Sequence, residues 1–148
     1  DVDNLKEVND EFGHAAGDEV LSALARMMKE SIRSSETAGR LGGDEFAIVL
    51  PETDARQAAA LADRLIESVS AVVGAWPNLP DSDAIVAAVG MSIGVAESRN
   101  GDLPPKEMMA SADAALYEAK RLGKNRSCVS MDSPSATAMA MADSGPIS

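Results

Sequence analysis

Carboxylates are concentrated at two predicted chain reversals. The first holds Asp1-Val2-Asp3, and the second holds Gly43-Asp44-Glu45 at the tip of a predicted hairpin. If Asp1 ends a strand beside that hairpin, Asp1 and Asp44 face each other at about 5 Å. Two carboxylates that close repel each other unless a cation lies between them. Oxygen ligands without histidine or cysteine select a hard ion, so the pattern predicts a Mg²⁺ or Mn²⁺ site completed by waters and substrate phosphates.

The same residues are also typical of solvated turns, because Asp, Asn and Gly dominate turns in general. The adjacent Gly42 and Gly43 favour a binding role, since a tip without Cβ atoms lets the backbone approach a phosphate closely. Spacing alone leaves both interpretations open.

Three cations, Lys120, Lys124 and Arg126, lie around the end of the last predicted helix. Cations there complement a helix C-terminus, which is a purely structural role. Beside an anionic substrate the same side chains would hold its phosphates. For the single histidine, His14, which follows Gly13 in a predicted turn, we expect a structural hydrogen bond.

Apolar periodicity predicts the helices that position these residues. The first runs from Asp18 to Ile32, the second begins at Asp54, and the third opens at Pro104-Pro105 and ends near Gly123. The sequence also predicts four strands, three between these helices and one after the last helix.

The predicted strands comprise a short one from Thr37, the apolar run 46–50, the segment 84–95 and a last one at 127–129. The run 46–50 is apolar throughout, which is typical of a strand buried on both faces. Gly90 and Gly94 allow a bulge or a close backbone approach within the third strand. These elements predict an α/β fold with a mixed central sheet flanked by helices.

Composition excludes several classes of protein. The 148 residues carry 13 basic and 24 acidic side chains, a net charge of −11, which is opposite in sign to that of nucleic-acid or anionic-membrane binding domains. No apolar run approaches the ~20 residues that span a bilayer. The lone Cys128 cannot form an internal disulfide or, with one histidine, a His/Cys zinc cluster, so we expect a reducing cytoplasm.

Length predicts one domain, residues 1–130, followed by a disordered tail, residues 131–148.

Four motifs then stand in a fixed order over residues 1–126. They are DVDNLKEVNDEFGHAAGD at 1–18, RLGGDEF at 40–46, SIGV at 92–95 and ADAALYEAKRLGKNR at 112–126. Together they resemble the GGDEF family of diguanylate cyclases. The resemblance implies a palm-like, ferredoxin-like α+β fold and the condensation of two GTP molecules into cyclic di-GMP with release of two pyrophosphates. It also implies an active homodimer and an upstream sensory or receiver domain.

The resemblance assigns roles at the metal and the base. Asp1 and Asp44, with the backbone carbonyl of Val2, would hold Mg²⁺ or Mn²⁺. Asn9 and Asp18 would pair with the guanine edge. Because a carboxylate that faces the N1–H and amino group of guanine is left without donors when adenine is offered, this pairing can select GTP strongly.

The resemblance also assigns the phosphate contacts. Lys6, Lys120 and Lys124 would meet the triphosphate, with Lys124 standing where the family more often has Arg. Gly42 and Gly43 would let the backbone approach the α-phosphate. Glu45 would either accept the 3′-hydroxyl proton or support the second metal.

Two departures from the family pattern carry expectations. The product-inhibition motif Arg-x-x-Asp is matched by Arg33 and Glu36, and the extra methylene of Glu predicts weakened feedback by cyclic di-GMP. The chain starts at Asp1, so the family's first helix and most of its first strand are absent, and we expect residues 1–148 alone to be poorly stable and weakly active or inactive. The alternative to an enzyme is a regulatory module that binds GTP or cyclic di-GMP without turnover.

Overall fold

A computed structural model describes residues 1–131, so the predicted tail lies almost wholly outside the described residues. The described part alternates helices with short strands. Their bounds in chain order are β1 Val2–Asp3, α1 Leu5–Phe12, α2 His14–Ser31, β2 Thr37–Gly42, β3 Glu45–Val49, α3 Ala55–Gly74, α4 Ser82–Ala88, β4 Gly90–Met91, β5 Ile93–Val95, α5 Pro105–Arg121 and β6 Ser127–Val129. Among these residues no helix is both long and apolar enough to cross a membrane.

The strands form three two-stranded sheets, of which two are antiparallel and one is parallel. β1 pairs antiparallel with β4, β2 with β3 as a hairpin, and β5 parallel with β6. Ser92 separates β4 from β5, and its N–H donates to the carbonyl of Asp1 at 3.0 Å. The N–H of Val2 donates to the carbonyl of Asp44 at 3.0 Å, which joins β1 to the hairpin tip. The predicted neighbourhood of the first strand and the hairpin is therefore confirmed.

The predicted start of the first helix, Asp18, lies too far along the chain. α2 begins at His14 rather than Asp18, and a separate helix, α1, precedes it. Gly13 lies between the two with φ 89°, a conformation that only glycine adopts without strain, so the chain turns there and restarts as a helix. The eight residues of α1 include four acidic or amide side chains, which made its short apolar stripe hard to recognise.

The segment 84–95 is a strand only in its second half. Ala84 to Ala88 belong to α4, whose N-terminus is capped by the side chain of Asp81, which accepts from the N–H of Ala84 at 3.2 Å. Alanine-rich sequence favours a helix where a cap is available, and Ile85 packs completely buried in the core. The prediction of a continuous strand was therefore wrong up to Ala88.

The strand within 46–50 is half-buried, so the prediction of burial on both faces was wrong. Phe46 and Ile48 pack against the core, whereas Val49 is 60% exposed. β3 pairs with β2 alone, and one face of this hairpin is turned to solvent. In the run 46–50 only Val49 is exposed, the other four residues are half-buried and none is fully buried, which is the environment of a strand with one covered face.

The remaining predicted elements are confirmed. α3 starts after Asp54, whose carboxylate accepts from the N–H of Gln57 at 2.8 Å in a reciprocal capping box. α5 starts at Pro105, and Gly123 follows its end with φ 116°. The core lies between the helices α2 and α3 and the strands β1, β2, β3 and β4, and it contains fully buried side chains such as Leu24. Burial of each such side chain contributes about 1.5–3 kcal/mol to the stability of the fold.

Candidate active site

A cavity of about 160 Å³ lies where β1, the start of α1, the hairpin tip and the end of α5 meet. It brings together the predicted metal ligands and the three predicted phosphate-binding lysines, although they come from opposite ends of the chain. The lining residues are Asp1, Val2, Asp3, Asn4, Leu5, Lys6, Glu7, Asp44, Lys120 and Lys124.

Two of the lysines already hold polar partners in this cavity. The Nζ of Lys120 lies 2.8 Å from Oδ1 of Asp1, whose side chain is only 6% exposed. The Nζ of Lys124 donates to Oδ1 of Asn4 at 2.8 Å. A buried carboxylate requires a partner to offset its lost hydration, and Lys120 supplies that partner.

The electrostatics around Asp1 reflect the same grouping of charges. Burial lowers the pKa of the α-amino group of Asp1, and Lys120 lowers it further. Three carboxylates act in the opposite direction, namely Asp3, Asp44 and Glu45. The hairpin carboxylates therefore lie close enough to Asp1 to influence it electrostatically.

The donor set suits a hard divalent cation. Within residues 1–131, no three His, Cys, Asp or Glu side chains converge on one point, so a cage made of protein alone is absent there. Mg²⁺ does not need such a cage, because it is commonly held by one or two carboxylates with substrate phosphates and waters. Asp1, Asp44 and a neighbouring backbone carbonyl match that requirement.

The hairpin tip is open and braced from one side. Gly42 and Gly43 have φ 145° and 54°, and nothing lies within 4 Å of a Cβ built on either. Arg40 donates from Nε and Nη2 to the carbonyl of Gly43 at 2.9 and 2.6 Å. Glu45 begins β3 exposed to solvent, next to Asp44. Sequence reasoning gave Arg40 no role, although it stands inside the hairpin motif.

Asn9 and Asp18 lie on the adjoining helices α1 and α2. Oδ1 of Asn9 is buried and has no hydrogen-bond partner. It rests against Gly17, where an added Cβ would lie 1.8 Å from it. An unpaired buried acceptor is costly, so this oxygen fits a donor supplied by a ligand. Asp18 is exposed and lines a second cavity, of about 500 Å³, between α2 and the hairpin.

Arg33 and Glu36 lie apart from both cavities, in the turn after α2. The N–H of Arg33 donates to Oε2 of Glu36 at 2.6 Å, and the N–H of Glu36 donates to the carbonyl of Arg33 at 3.0 Å. The carboxylate of Glu36 therefore closes this turn.

Sequence reasoning also missed Asp3 and its partners. Asp3 is 3% exposed and accepts from Oγ of Ser92 at 2.7 and 3.0 Å and from the N–H of Asn125 at 2.9 Å. Aspartate is depleted in strands, so an Asp within a strand was the available signal.

Comparison with known proteins identifies the class to which this domain belongs. Residues 1–126 match the family described as "Diguanylate cyclase, GGDEF domain", and the chain belongs to that family. It is similar to "Diguanylate cyclase A" of Treponema denticola, with 42% identity over 127 residues that cover 85% of this chain and 32% of that protein. It is also similar to "Probable diguanylate cyclase DgcT" of Escherichia coli K12, with 39% identity over 85% of this chain and 27% of that protein.

Solved structures agree with the sequence relatives. The active GGEEF domain of a diguanylate cyclase from Vibrio cholerae superposes with a TM-score of 0.75 at 35% identity, covering 90% of this chain and 80% of that one. The predicted α+β fold is therefore confirmed. The chain spans about a third of the length of the curated relatives that it matches.

Proposed function

We propose that this domain is a diguanylate cyclase that condenses two GTP molecules into cyclic di-GMP and releases two pyrophosphates. The observation that carries the proposal is the single cavity that joins Asp1, Asp44 and three lysines beside an open glycine tip. Carboxylates for metal ions and cations for phosphates are the two requirements of phosphoryl transfer.

Asp1 and Asp44, with the carbonyl of Val2, would hold Mg²⁺ or Mn²⁺. A divalent ion held there supplies charge neutralisation for attack of a 3′-oxygen on an α-phosphorus with pyrophosphate leaving. The ammonium of Lys120 lies 2.8 Å from Oδ1 of Asp1. When a metal ion binds the Asp1 carboxylate in its place, this ammonium would be released to contact the phosphate oxygens of the substrate.

The lysines would share the triphosphate. Lys6 stands in the first turn of α1, Lys120 lies in the last turn of α5 and Lys124 in the turn that follows it, so the cations would approach the cavity from two directions. Gly42 and Gly43 leave the tip backbone accessible to the α-phosphate, and Arg40 keeps that tip in place.

Glu45 has two chemically distinct roles open to it. As a base it would accept the 3′-hydroxyl proton, and as a ligand it would support the second metal. Glu45→Gln separates them, because glutamine keeps an oxygen ligand but loses the base.

Guanine would be read by Asn9 and Asp18. The unpaired Oδ1 of Asn9 needs a donor, and the exposed carboxylate of Asp18 suits the N1–H and amino group of guanine. Adenine offers no donors in that arrangement, so discrimination follows from unpaired groups.

One GTP per protomer requires two protomers to meet about a two-fold axis, so the active form would be a homodimer. Dimerisation would be controlled by sensory or receiver domains in the parent protein. Cyclic di-GMP feedback through Arg33 and Glu36 would be weak, because the Glu36 carboxylate is engaged in its own turn.

The test is product identification by mass after incubation of the full-length parent protein, which is also the protein for the other activity measurements, with GTP and Mg²⁺ at concentrations that favour dimers. We expect cyclic di-GMP and pyrophosphate above a control without protein, and neither when Mg²⁺ is omitted. Saturable GTP binding without product would overturn the proposal in favour of a nucleotide-binding regulatory module.

A further inference from the structure

The turn that carries Lys124 adopts an unfavourable backbone conformation. Lys124 and Asn125 have φ 63° and 47°, so two consecutive non-glycine residues lie in the left-handed region. Such conformations persist only where surrounding contacts impose them. The N–H of Lys124 donates to the carbonyl of Ala119 at 3.1 Å, which fixes the start of the turn to α5.

The far side of the turn is held by Asp3. Its Oδ2 accepts from the backbone N–H of Asn125 at 2.9 Å across a sequence separation of 122 residues. The carboxylate is 3% exposed and is fixed in turn by Oγ of Ser92, which lies within 3.0 Å of both of its oxygens. Hydrogen bonds to an ionised acceptor in a buried setting are among the stronger ones in proteins.

The contact is close-packed as well as hydrogen-bonded. A Cβ built on Gly90 would lie 3.0 Å from Oδ1 of Asn125 and 3.2 Å from Oδ2 of Asp3. The side chains of Asp3 and Asn125 therefore rest directly on the backbone of β4, and the turn has little freedom to shift.

The result of this anchorage is visible at the cavity. Lys124 extends from the turn and its Nζ donates to Oδ1 of Asn4 at 2.8 Å. Asn4 is itself fixed, because its Nδ2 donates to the carbonyl of Ala88 at 2.8 Å. A flexible lysine is thus directed at the cavity by its backbone and not by its side chain alone.

We propose that Asp3 is a positioning residue that fixes the Lys124–Asn125 turn and thereby sets Lys124 for the substrate triphosphate. The role of Lys124 at the phosphates rests on the function proposed above. The anchorage of the turn does not depend on it.

The experiment compares Asp3→Ala and Asp3→Asn with Ser92→Ala, which weakens the same anchor by removing one donor to the carboxylate but leaves that carboxylate to accept from the N–H of Asn125. Hydrogen exchange of the Asn125 amide and the KM for GTP are measured for each. We expect Asp3→Ala to speed exchange at Asn125 more than tenfold and to raise KM about tenfold. Asp3→Asn, which keeps one acceptor oxygen, should raise KM two- to threefold, and Ser92→Ala less than twofold.

A second background shows whether the effect passes through Lys124. With Lys124→Ala in place, adding Asp3→Asn should change KM by less than 1.5-fold, because the group being positioned is gone. Equal KM increases with and without Lys124 would overturn the proposal, as would unchanged exchange at Asn125. If Asp3→Ala does not fold, Asp3→Asn in the two Lys124 backgrounds decides, and an equal KM increase with and without Lys124 contradicts the anchorage. Failure of the cyclase function instead shows as absent product in the wild type, with the exchange result unaffected.

Discussion

The two ends of the candidate site are held together over very different distances along the chain. At the base end, Asn9 and Gly17 contact each other across two consecutive helices joined by one residue. At the phosphate end, Asp3 holds Asn125 over a separation of 122 residues, and Lys120 reaches back to Asp1.

This difference teaches which part of the site depends on the whole fold. The contact between Asn9 and Gly17 at the base end requires only the correct turn at Gly13, so its geometry is local. The phosphate end requires the start of the chain, the hairpin tip and the end of α5 to be assembled, because Asp1, Asp44 and Lys120 come from these three distant segments. Substitutions of the same kind should therefore act differently at the two ends.

The largest effect is expected where α5 packs on β5. A Cβ at Gly94 would lie 2.0 Å from the carbonyl of Ala112 and 2.4 Å from the N–H nitrogen of Leu116, and backbone atoms cannot move aside cheaply. We expect Gly94→Ala to lower the free energy of unfolding by about 3 kcal/mol or more, measured by urea titration. Gly39→Ala is the control, since nothing lies within 4 Å of its Cβ. Equal urea midpoints for Gly94→Ala and Gly39→Ala would show that the packing of α5 on β5 does not limit stability.

Asp18→Ala should leave the fold intact and act on nucleotide choice. The carboxylate is exposed, so its removal creates no cavity. Loss of a charged hydrogen-bond partner should weaken GTP binding between about 10-fold and 100-fold and leave ATP binding nearly unchanged. Isothermal titration with each nucleotide checks this. Equal losses for both nucleotides would count against a role in reading guanine.

Gly17→Ala is the same substitution as Gly94→Ala, made at the base end, where an added Cβ meets a side chain and not backbone atoms. The obstructing atom is Oδ1 of Asn9, the end of a flexible side chain, so the amide moves and the helices stay. Alanine also favours a helix over glycine by about 0.5–1 kcal/mol, so the stability should not fall. We expect GTP affinity to drop about fivefold. In an Asn9→Ala background the same change should have no further effect on affinity, and a further loss there would show that Gly17 acts elsewhere.

The smallest effect concerns Cys128, which pairs with Gly94 in β5–β6 and lies outside both cavities. Burial, followed by Glu118, raises the pKa of its thiol above 9.0, and Arg126 opposes this. The folded state therefore keeps its proton to higher pH than the unfolded state, and the protein should lose a little stability as pH rises past the unfolded value. Alkylation by iodoacetamide should be slow at pH 8 and still rising above pH 9. A plateau by pH 8.5 would be inconsistent with the raised pKa.

Sequence periodicity predicted α3, α5 and β6 because each has a continuous local signal, such as the Asp54 cap or Pro105 at a helix start. It failed where tertiary packing decided the outcome. The Ala84–Ala88 segment is helical because α4 buries Ile85, and Val49 is exposed because, among the described residues, β3 pairs with β2 alone and this part of the hairpin faces solvent.

The candidate site likewise contains residues that the sequence pointed to and residues that only the tertiary structure reveals. The roles given to Asp1, Asp44 and Lys120 came from a motif resemblance, since spacing alone left solvated turns as an alternative. An Asp within a strand could have marked Asp3 as unusual, but its partner could not be identified from the sequence, because that partner is the backbone N–H of Asn125 and a backbone N–H has no sequence signature.

The central claim is that the phosphate end performs metal-assisted chemistry, and the initial rate of pyrophosphate release at saturating GTP and Mg²⁺ tests it most directly. Asp44→Asn removes one of the two proposed carboxylate ligands with minimal change in size. Glu52→Gln is the matched control, an exposed carboxylate that lines neither cavity. We predict a loss of about 100-fold or more for Asp44→Asn and an unchanged rate for Glu52→Gln. A wild-type rate for Asp44→Asn would contradict the account.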